Sequence, residues 1–140
     1  MLYSFRQATT EDLIVLDRIH TDNMRSYVEK MYPWKPKLFA DSFIASQYRV
    51  VESNQEIIGF IKIVVSDTDI YLAEIQISSK YQNKGVGSSI INNLIEQAKA
   101  NRQRLWLRTL KSNPAVELYQ RLGFTVFETT VTHIKLEFNF

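Results

Sequence analysis

Tyr81-Gln82-Asn83-Lys84-Gly85-Val86-Gly87-Ser88 follows an apolar, strand-like run and precedes an amphipathic stretch, so the chain must turn here from strand to helix. Two of the four glycines in the sequence fall in this stretch, two residues apart. Glycine reaches positive φ without a steric penalty and lets another molecule approach the backbone closely. A helix opening just after such a turn directs unpaired N–H groups and the positive end of its dipole at one spot. Lys84 adds a mobile positive charge. The stretch reads as a cradle for a phosphate or pyrophosphate. The plain alternative is a strand-to-helix turn that uses glycines for geometry alone. Order and spacing exclude two commoner phosphate loops: Lys84 precedes Gly85 where the P-loop needs Gly-Lys-Ser/Thr, and Ile90 stands where the dinucleotide fingerprint needs a third small residue.

Composition narrows the classes. A chain of 140 residues with 45% hydrophobic and 23% charged residues can bury a real core without staples, so one domain over residues 1–140 is expected. The formal net charge of +2 gives no argument for nucleic acid or an acidic membrane as partner. Cysteine is absent, which excludes disulfides, thiolate metal sites and a cysteine nucleophile. The two histidines, His20 and His133, lie far apart in sequence, and no metal is expected. Met1-Leu2-Tyr3-Ser4-Phe5-Arg6 lacks a basic region followed by an apolar signal core, and no run could span a bilayer. The expected setting is the cytoplasm, and the oligomeric state, a homodimer included, stays open.

Periodicity orders the elements. A first strand is expected over residues 2–7, with Thr9 or Thr10 as N-cap and Glu11 and Asp12 in the first turn of a helix. Leu13, Leu16, His20, Met24, Tyr27 and Met31 recur at three- and four-residue steps and form one helical face. Pro33 and Pro36 end that helix and bracket Trp34; a second short helix carries Leu38, Phe39 and Phe43. Strands are expected at 49–51, 57–65 and 70–77, separated by the polar turns 53–56 and 67–69. Residues 87–100 are helical, with Ile90, Ile91, Leu94, Ile95 and Ala98 on one face. A strand at 105–110 is followed by a helix that Asn113 caps, Pro114 opens and Gly123 closes. Residues 124–140 read as one or two last strands. A helical pair, a meander and then strand–helix–strand–helix–strand define a mixed α/β sheet.

This order, with two motifs in it, resembles the GNAT superfamily of acyl-CoA-dependent N-acetyltransferases. The family loop Gln/Arg-x-x-Gly-x-Gly/Ala is met at every fixed position by Gln82-Asn83-Lys84-Gly85-Val86-Gly87. A looser pattern, Asn-x-x-Ala/Val-x-x-x-Tyr-x-x-x-Gly-Phe, is similar to the stretch from Asn113 through Tyr119 to Gly123-Phe124. The resemblance covers nearly the whole chain and is weakest over residues 1–47, where the superfamily builds acceptor specificity. It implies a largely antiparallel central sheet with a splayed parallel strand pair and flanking helices. It also implies acetyl-CoA as acyl donor and a primary amine of a small molecule or peptide as acceptor.

Carried over by resemblance, Gln82, Asn83, Lys84, Gly85, Val86, Gly87 and Ser88 hold the coenzyme A pyrophosphate through backbone N–H groups. The strand of Glu74, Ile75, Gln76 and Ile77 binds the pantetheine arm, with a backbone N–H near Ile77 polarising the thioester carbonyl. Asn113 contacts the cofactor or a water, and Tyr119 protonates the departing thiolate. The chemistry is consistent with those roles. An alkylamine of pKa ~10 is only about one part in a thousand neutral at pH 7, so a base is useful. A phenol of pKa ~10 can donate to a thiolate whose acid has a pKa of roughly 8.5.

Each role has a plainer counterpart. Tyr119 could be a core aromatic. Glu74, the carboxylate placed for general base, shares a strand face with Leu72 and Gln76 and could be a paired charge beside Arg108 or a solvent-facing residue. His20, Met24, Tyr27 and Trp34 line an acceptor pocket if the first helical face opens, and are core if it does not. His133 is a second candidate for pocket or relay. Lys30, Lys35, Lys37, Arg102 and Arg104 read as solvated surface. A non-catalytic acyl-CoA-binding sensor is the competing function; Tyr119 and Asn113 favour the enzyme, since a pure binder needs the loop but not the acid.

Overall fold

The computed structural model describes residues 2–138 and 140; Met1 and Asn139, which fall in the expected domain and, for Asn139, in the expected last strands, lie outside the described residues. The described residues form seven strands: β1 (Ser4–Gln7), β2 (Tyr48–Ser53), β3 (Glu56–Val65), β4 (Asp69–Ile77), β5 (Arg104–Leu110), β6 (Phe124–Thr129) and β7 (His133–Phe138). The strands make one sheet in the order β1-β2-β3-β4-β5-β7-β6. Among the same residues the α-helices are α1 (Leu13–Val28), α2 (Leu38–Ser42), α3 (Val86–Ala100) and α4 (Ala115–Arg121). Pairing is antiparallel at β1/β2, β2/β3, β5/β7 and β6/β7, and parallel at β4/β5. The mixed, largely antiparallel sheet with one parallel pair is the architecture expected. The parallel register runs from Asp69↔Arg104 to Leu72↔Leu107, and each strand continues past it, to Ile77 and to Leu110.

By contacts the chain gathers into two compact units: one takes the chain up to Lys62 with Glu74–Gly87, the other Ile63–Ala73 with the chain from Ser88 on. In the first unit, Asp12 organises the entry to α1. Its carboxylate accepts from the Thr9 backbone N–H (2.8 Å) and from both terminal nitrogens of Arg6 (2.8 and 2.9 Å). The core joins Leu16 and Ile19 of α1 to Phe39 of α2, Tyr48 and Val50 of β2 and Phe60 of β3. Phe39 meets the rings of Tyr48 and Phe60 edge-on, at 5.8 and 5.9 Å. Asn54 and Gln55, at φ 52° and 63°, make the tight β2–β3 turn in the left-handed pair of conformations that matches strand twist.

Several boundaries differ from expectation: β1 begins at Ser4, and Glu11 and Asp12 lie in a 3-10 turn, Thr10–Asp12, ahead of α1, which starts at Leu13. The first helix ends at Val28, so Met31 lies beyond it, in a turn where the N–H groups of Met31 and Tyr32 both return to the Val28 carbonyl. The segment leading into Pro33 cannot stay helical, because proline disfavours the α region in the residue before it. Likewise α2 stops at Ser42, and Phe43 follows it in extended conformation.

In the second unit, Ile90, Ile91, Leu94, Ile95 and Ala98 of α3 are buried, the face that the three- and four-residue spacing identified. Tyr71 of β4 stacks on Trp106 of β5 at 4.0 Å, directly opposite in the parallel register. Asn113 Oδ1 accepts from the Ala115 N–H (2.9 Å), the side-chain cap expected before α4. Gly123 ends that segment at φ 106°, and a Cβ there would come within 2.8 Å of Phe138. No helix of the described residues is long and apolar enough to cross a membrane.

Candidate functional site

The turn between β4 and α3 has the geometry that its glycines require. Gly85 sits at φ 81° and Asn83 at φ 62°, so the chain passes twice through the left-handed region before α3 begins at Val86. Val86 is buried and anchors the helix start, whereas Gln82, Asn83, Lys84 and Gly85 are exposed. A Cβ built on Gly85 or on Gly87 would meet no described atom within 4 Å. At Gly87, already inside α3, the glycine is therefore not demanded by packing. The first turn of α3 carries no acidic side chain. Free N–H groups, two positions without side chains and a helix dipole fit a bound pyrophosphate.

Gln82 has a different job from its neighbours. Its side-chain amide donates to the Ile77 carbonyl (2.9 Å) and to Asn23 Oδ1 (3.3 Å). That side chain ties the loop back to the end of β4 and to α1, and the Gln82 backbone N–H is itself bonded to the Ser79 carbonyl (3.3 Å), so Gln82 shapes the loop rather than donating from it. Asn23 Nδ2 donates to the same Ile77 carbonyl (2.8 Å) and to Gln76 Oε1 (3.1 Å). Gln76 Nε2 donates to Glu74 Oε2 (3.0 Å), the oxygen that also bonds His20 Nδ1. A continuous polar chain thus links His20 to the Gln82 loop through Glu74, Gln76 and Asn23. Glu74 has His20 as its ionic partner, not Arg108.

The His20 ring stacks on Phe39 (4.7 Å between centroids) and lies 5.9 Å from Trp34, so the turn holding Pro33 and Pro36 does fold Trp34 back over the α1 face. Met24 and Tyr27 are half-buried on the same helix, and the Lys30 ammonium sits over the Tyr27 ring at 5.4 Å. Tyr48 feels the same environment: burial first, and then the charge of Glu74, push its hydroxyl well above the usual phenol range. Strand alternation brings Leu72 and Gln76 of β4 to a buried face, yet Ile77 is buried as well. The break falls opposite Gly59, where a Cβ would come within 2.3 Å of the Gln76 carbonyl oxygen; only glycine lets the two backbones approach so closely. Ile75 is half-buried.

Tyr119, Asn113, Ser88 and His133 belong to the second unit. Tyr119 is 7% exposed, its ring 6.1 Å from Phe124, and burial pushes its pKa to about 12. Its hydroxyl makes no hydrogen bond among the described residues. Ser88 is half-buried in α3. His133 opens β7 opposite Leu110, its Nδ1 2.8 Å from Thr132 Oγ1. Burial, and then the charge of Arg108, lower its pKa from the usual imidazole range.

Sequence reading missed Asn23 and Gly59. Asn23 stands three residues after His20, which places it near the same face, but its partners lie more than fifty residues away and leave no local signal. Gly59 was legible only as a glycine inside a strand pattern, the usual mark of a close backbone approach.

The fold is that of solved N-acetyltransferases. A PaiA N-acetyltransferase from Thermoplasma acidophilum, in complex with coenzyme A, matches with a TM-score of 0.81 and 16% identity, over 100% of each chain. The ribosomal-protein-S18-alanine N-acetyltransferase from Escherichia coli matches with a TM-score of 0.68 and 23% identity, over 98% of this chain and 93% of that one. By sequence, the chain is 38% identical over 77 residues to the [ribosomal protein bS18]-alanine N-acetyltransferase of Haemophilus influenzae, a stretch covering 54% of this chain and 52% of that relative. The chain thus spans about half the length of the curated relative it matches. The acetyltransferase (GNAT) family profile matches residues 13–124, and the chain belongs to that family.

Proposed function

We propose that residues 1–140 act as one acetyl-CoA-dependent N-acetyltransferase domain, which acetylates a primary amine of a small molecule or a peptide by direct attack, in the cytoplasm. The observation that carries this reading is the β4–α3 turn of a family member, with Gly85 at φ 81° and Gly87 free of packing demand. Acetyl-CoA supplies an acetyl group activated as a thioester. Backbone N–H groups of Asn83, Lys84, Gly85, Val86, Gly87 and Ser88 would hold its pyrophosphate, in a loop that Gln82 fixes through its bonds to Ser79, Ile77 and Asn23, and the backbone of Ile75, Gln76 and Ile77 its pantetheine arm, with Asn113 as a further contact. Glu74 serves proton removal from the amine, and Tyr119 holds a proton at its phenol oxygen for the leaving sulfur. Burial that lifts Tyr119 to about 12 keeps this proton in place across the working pH range. His20, Met24, Tyr27 and Trp34 would line the acceptor side, with His133 as a further candidate.

The test is an amine panel with free thiol release from acetyl-CoA as the readout. The acceptor named for the Haemophilus relative puts a peptide with an N-terminal alanine in that panel. Thiol release above the hydrolysis rate with at least one amine is the expected result. Tight acetyl-CoA binding with no release across the panel would point instead to a sensor module.

A further inference from the structure

An acceptor ammonium must lose a proton before its nitrogen can attack, and the donors around Glu74 decide which atom takes it. Gln76 Nε2 donates to Glu74 Oε2 at 3.0 Å, while Gln76 Oε1 accepts from Asn23 Nδ2 at 3.1 Å, so a flip of the Gln76 amide would break both bonds. Asn23 is fixed in the same way: Nδ2 also donates to the Ile77 carbonyl at 2.8 Å, and Oδ1 accepts from Gln82 at 3.3 Å. The side-chain relay from Gln82 through Asn23 and Gln76 thus ends on Glu74 Oε2 as acceptor, with the Ile77 carbonyl accepting from Asn23 and Gln82 on the way. His20 Nδ1 bonds that same oxygen and therefore carries a proton. In a neutral imidazole the lone pair then sits on Nε2. Nε2 has no hydrogen-bond partner among the described residues, and the His20 side chain keeps 21% of its surface exposed. Phe39 from α2 and Trp34 from the turn between α1 and α2 pack on the ring. Glu74 is the one charged group paired with the ring among the described residues; Tyr48 of β2, near Glu74, stays a neutral phenol.

We propose that His20 Nε2 takes the proton from the acceptor amine. Glu74 is then a positioning residue, which holds the Nδ1-protonated tautomer and pairs with the imidazolium once it forms. This rests on the acetyltransferase reading above. The ammonium gives one proton to Nε2, and the freed lone pair forms the C–N bond as the C–S bond breaks with its electron pair on sulfur. Sulfur takes the Tyr119 proton, the second nitrogen proton restores the phenol by way of solvent, and His20 passes its proton to water.

The experiment measures kcat/KM against pH for wild type, His20→Gln, Glu74→Gln and the double variant, with an amine that the panel identifies. His20→Gln is expected to lose about 10²-fold at pH 7, with the deficit shrinking toward pH ~10, where the amine is neutral by itself. Acetyl-CoA affinity by calorimetry should stay unchanged. Glu74→Gln should lose activity as well, and the double variant should be no slower than His20→Gln. A wild-type pH profile in folded His20→Gln, or a Glu74→Gln loss far exceeding that of His20→Gln, overturns the assignment. ¹⁵N NMR of the wild-type imidazoles reads the tautomer directly: Nδ1-protonated His20 supports the proposal and neutral Nε2-protonated His20 refutes it, whether or not an acceptor is in hand. Failure of wild type to bind acetyl-CoA would overturn the enzyme reading itself, and is distinct from a failed assignment, which shows with binding intact.

Discussion

Replacing Tyr119 with phenylalanine separates chemistry from packing at one atom. The ring is 7% exposed and meets Phe124 at 6.1 Å, contacts that phenylalanine keeps. The hydroxyl has no hydrogen-bond partner among the described residues, so its removal should change stability by less than about 0.5 kcal/mol at neutral pH. Burial lifts the phenol to about 12, against an ordinary value near 10. Two pH units in a pKa correspond to about 2.7 kcal/mol of preference for the phenol in the folded chain. Because the folded pKa is the higher one, that stability is fully present below pH ~10 and is lost as pH rises through the folded value. Tyr119→Phe should therefore be less alkali-sensitive than wild type between pH 10 and 12 in urea melts. Turnover should behave oppositely: kcat should fall by roughly one to three orders of magnitude with acetyl-CoA affinity retained, since sulfur must then take its proton from water. Equal kcat in the two proteins, with chemistry shown to be rate-limiting, would assign Tyr119 to packing and refute the acid role.

Trp34→Ala should raise the acceptor KM by about tenfold while leaving acetyl-CoA affinity and melting temperature nearly intact, because the ring is half-buried over His20 and outside the core cluster; a drop in stability of the 3–5 kcal/mol typical of core aromatics, with KM unchanged, would make it a core residue. Asp12→Asn should cost about 1–3 kcal/mol by thermal melt at pH 7, since it weakens the pairing of Arg6 and the bond from Thr9. The hydrogen bonds from Arg6 hold the Asp12 carboxyl below its ordinary range, so this stability is present above pH ~4 and is lost as pH falls through the lower folded value. The wild-type advantage over the variant should shrink accordingly in melts at pH 2–3.

Local chemistry was the legible part of the chain. The β4–α3 loop, the Asn113 cap, the Gly123 stop and the buried stripe of α3 each depend on residues within a few positions of one another, and each was placed from the sequence. The end of α1 was misplaced because periodicity continues to Met31 while the backbone must leave the helix ahead of Pro33. What links Glu74 to His20 and Asn23 to Gln76 spans more than fifty residues, and nothing in helix or strand spacing sets which polar side chains will meet across such a distance. Strand parity put Glu74 on one face with Leu72 and Gln76, but it could not foresee that α1 would bring a histidine to that face.

The most direct measurement is acetyl-CoA calorimetry on wild type and Gly87→Val. Gly87 lies in α3 with no described atom within 4 Å of a would-be Cβ, and its backbone needs no positive φ, so valine should leave the fold intact by circular dichroism. A side chain there would occupy the place proposed for the pyrophosphate. Binding by wild type, weakened at least about 100-fold in the folded variant, a loss of about 2.7 kcal/mol, is the expected result. Unchanged affinity in folded Gly87→Val would contradict it.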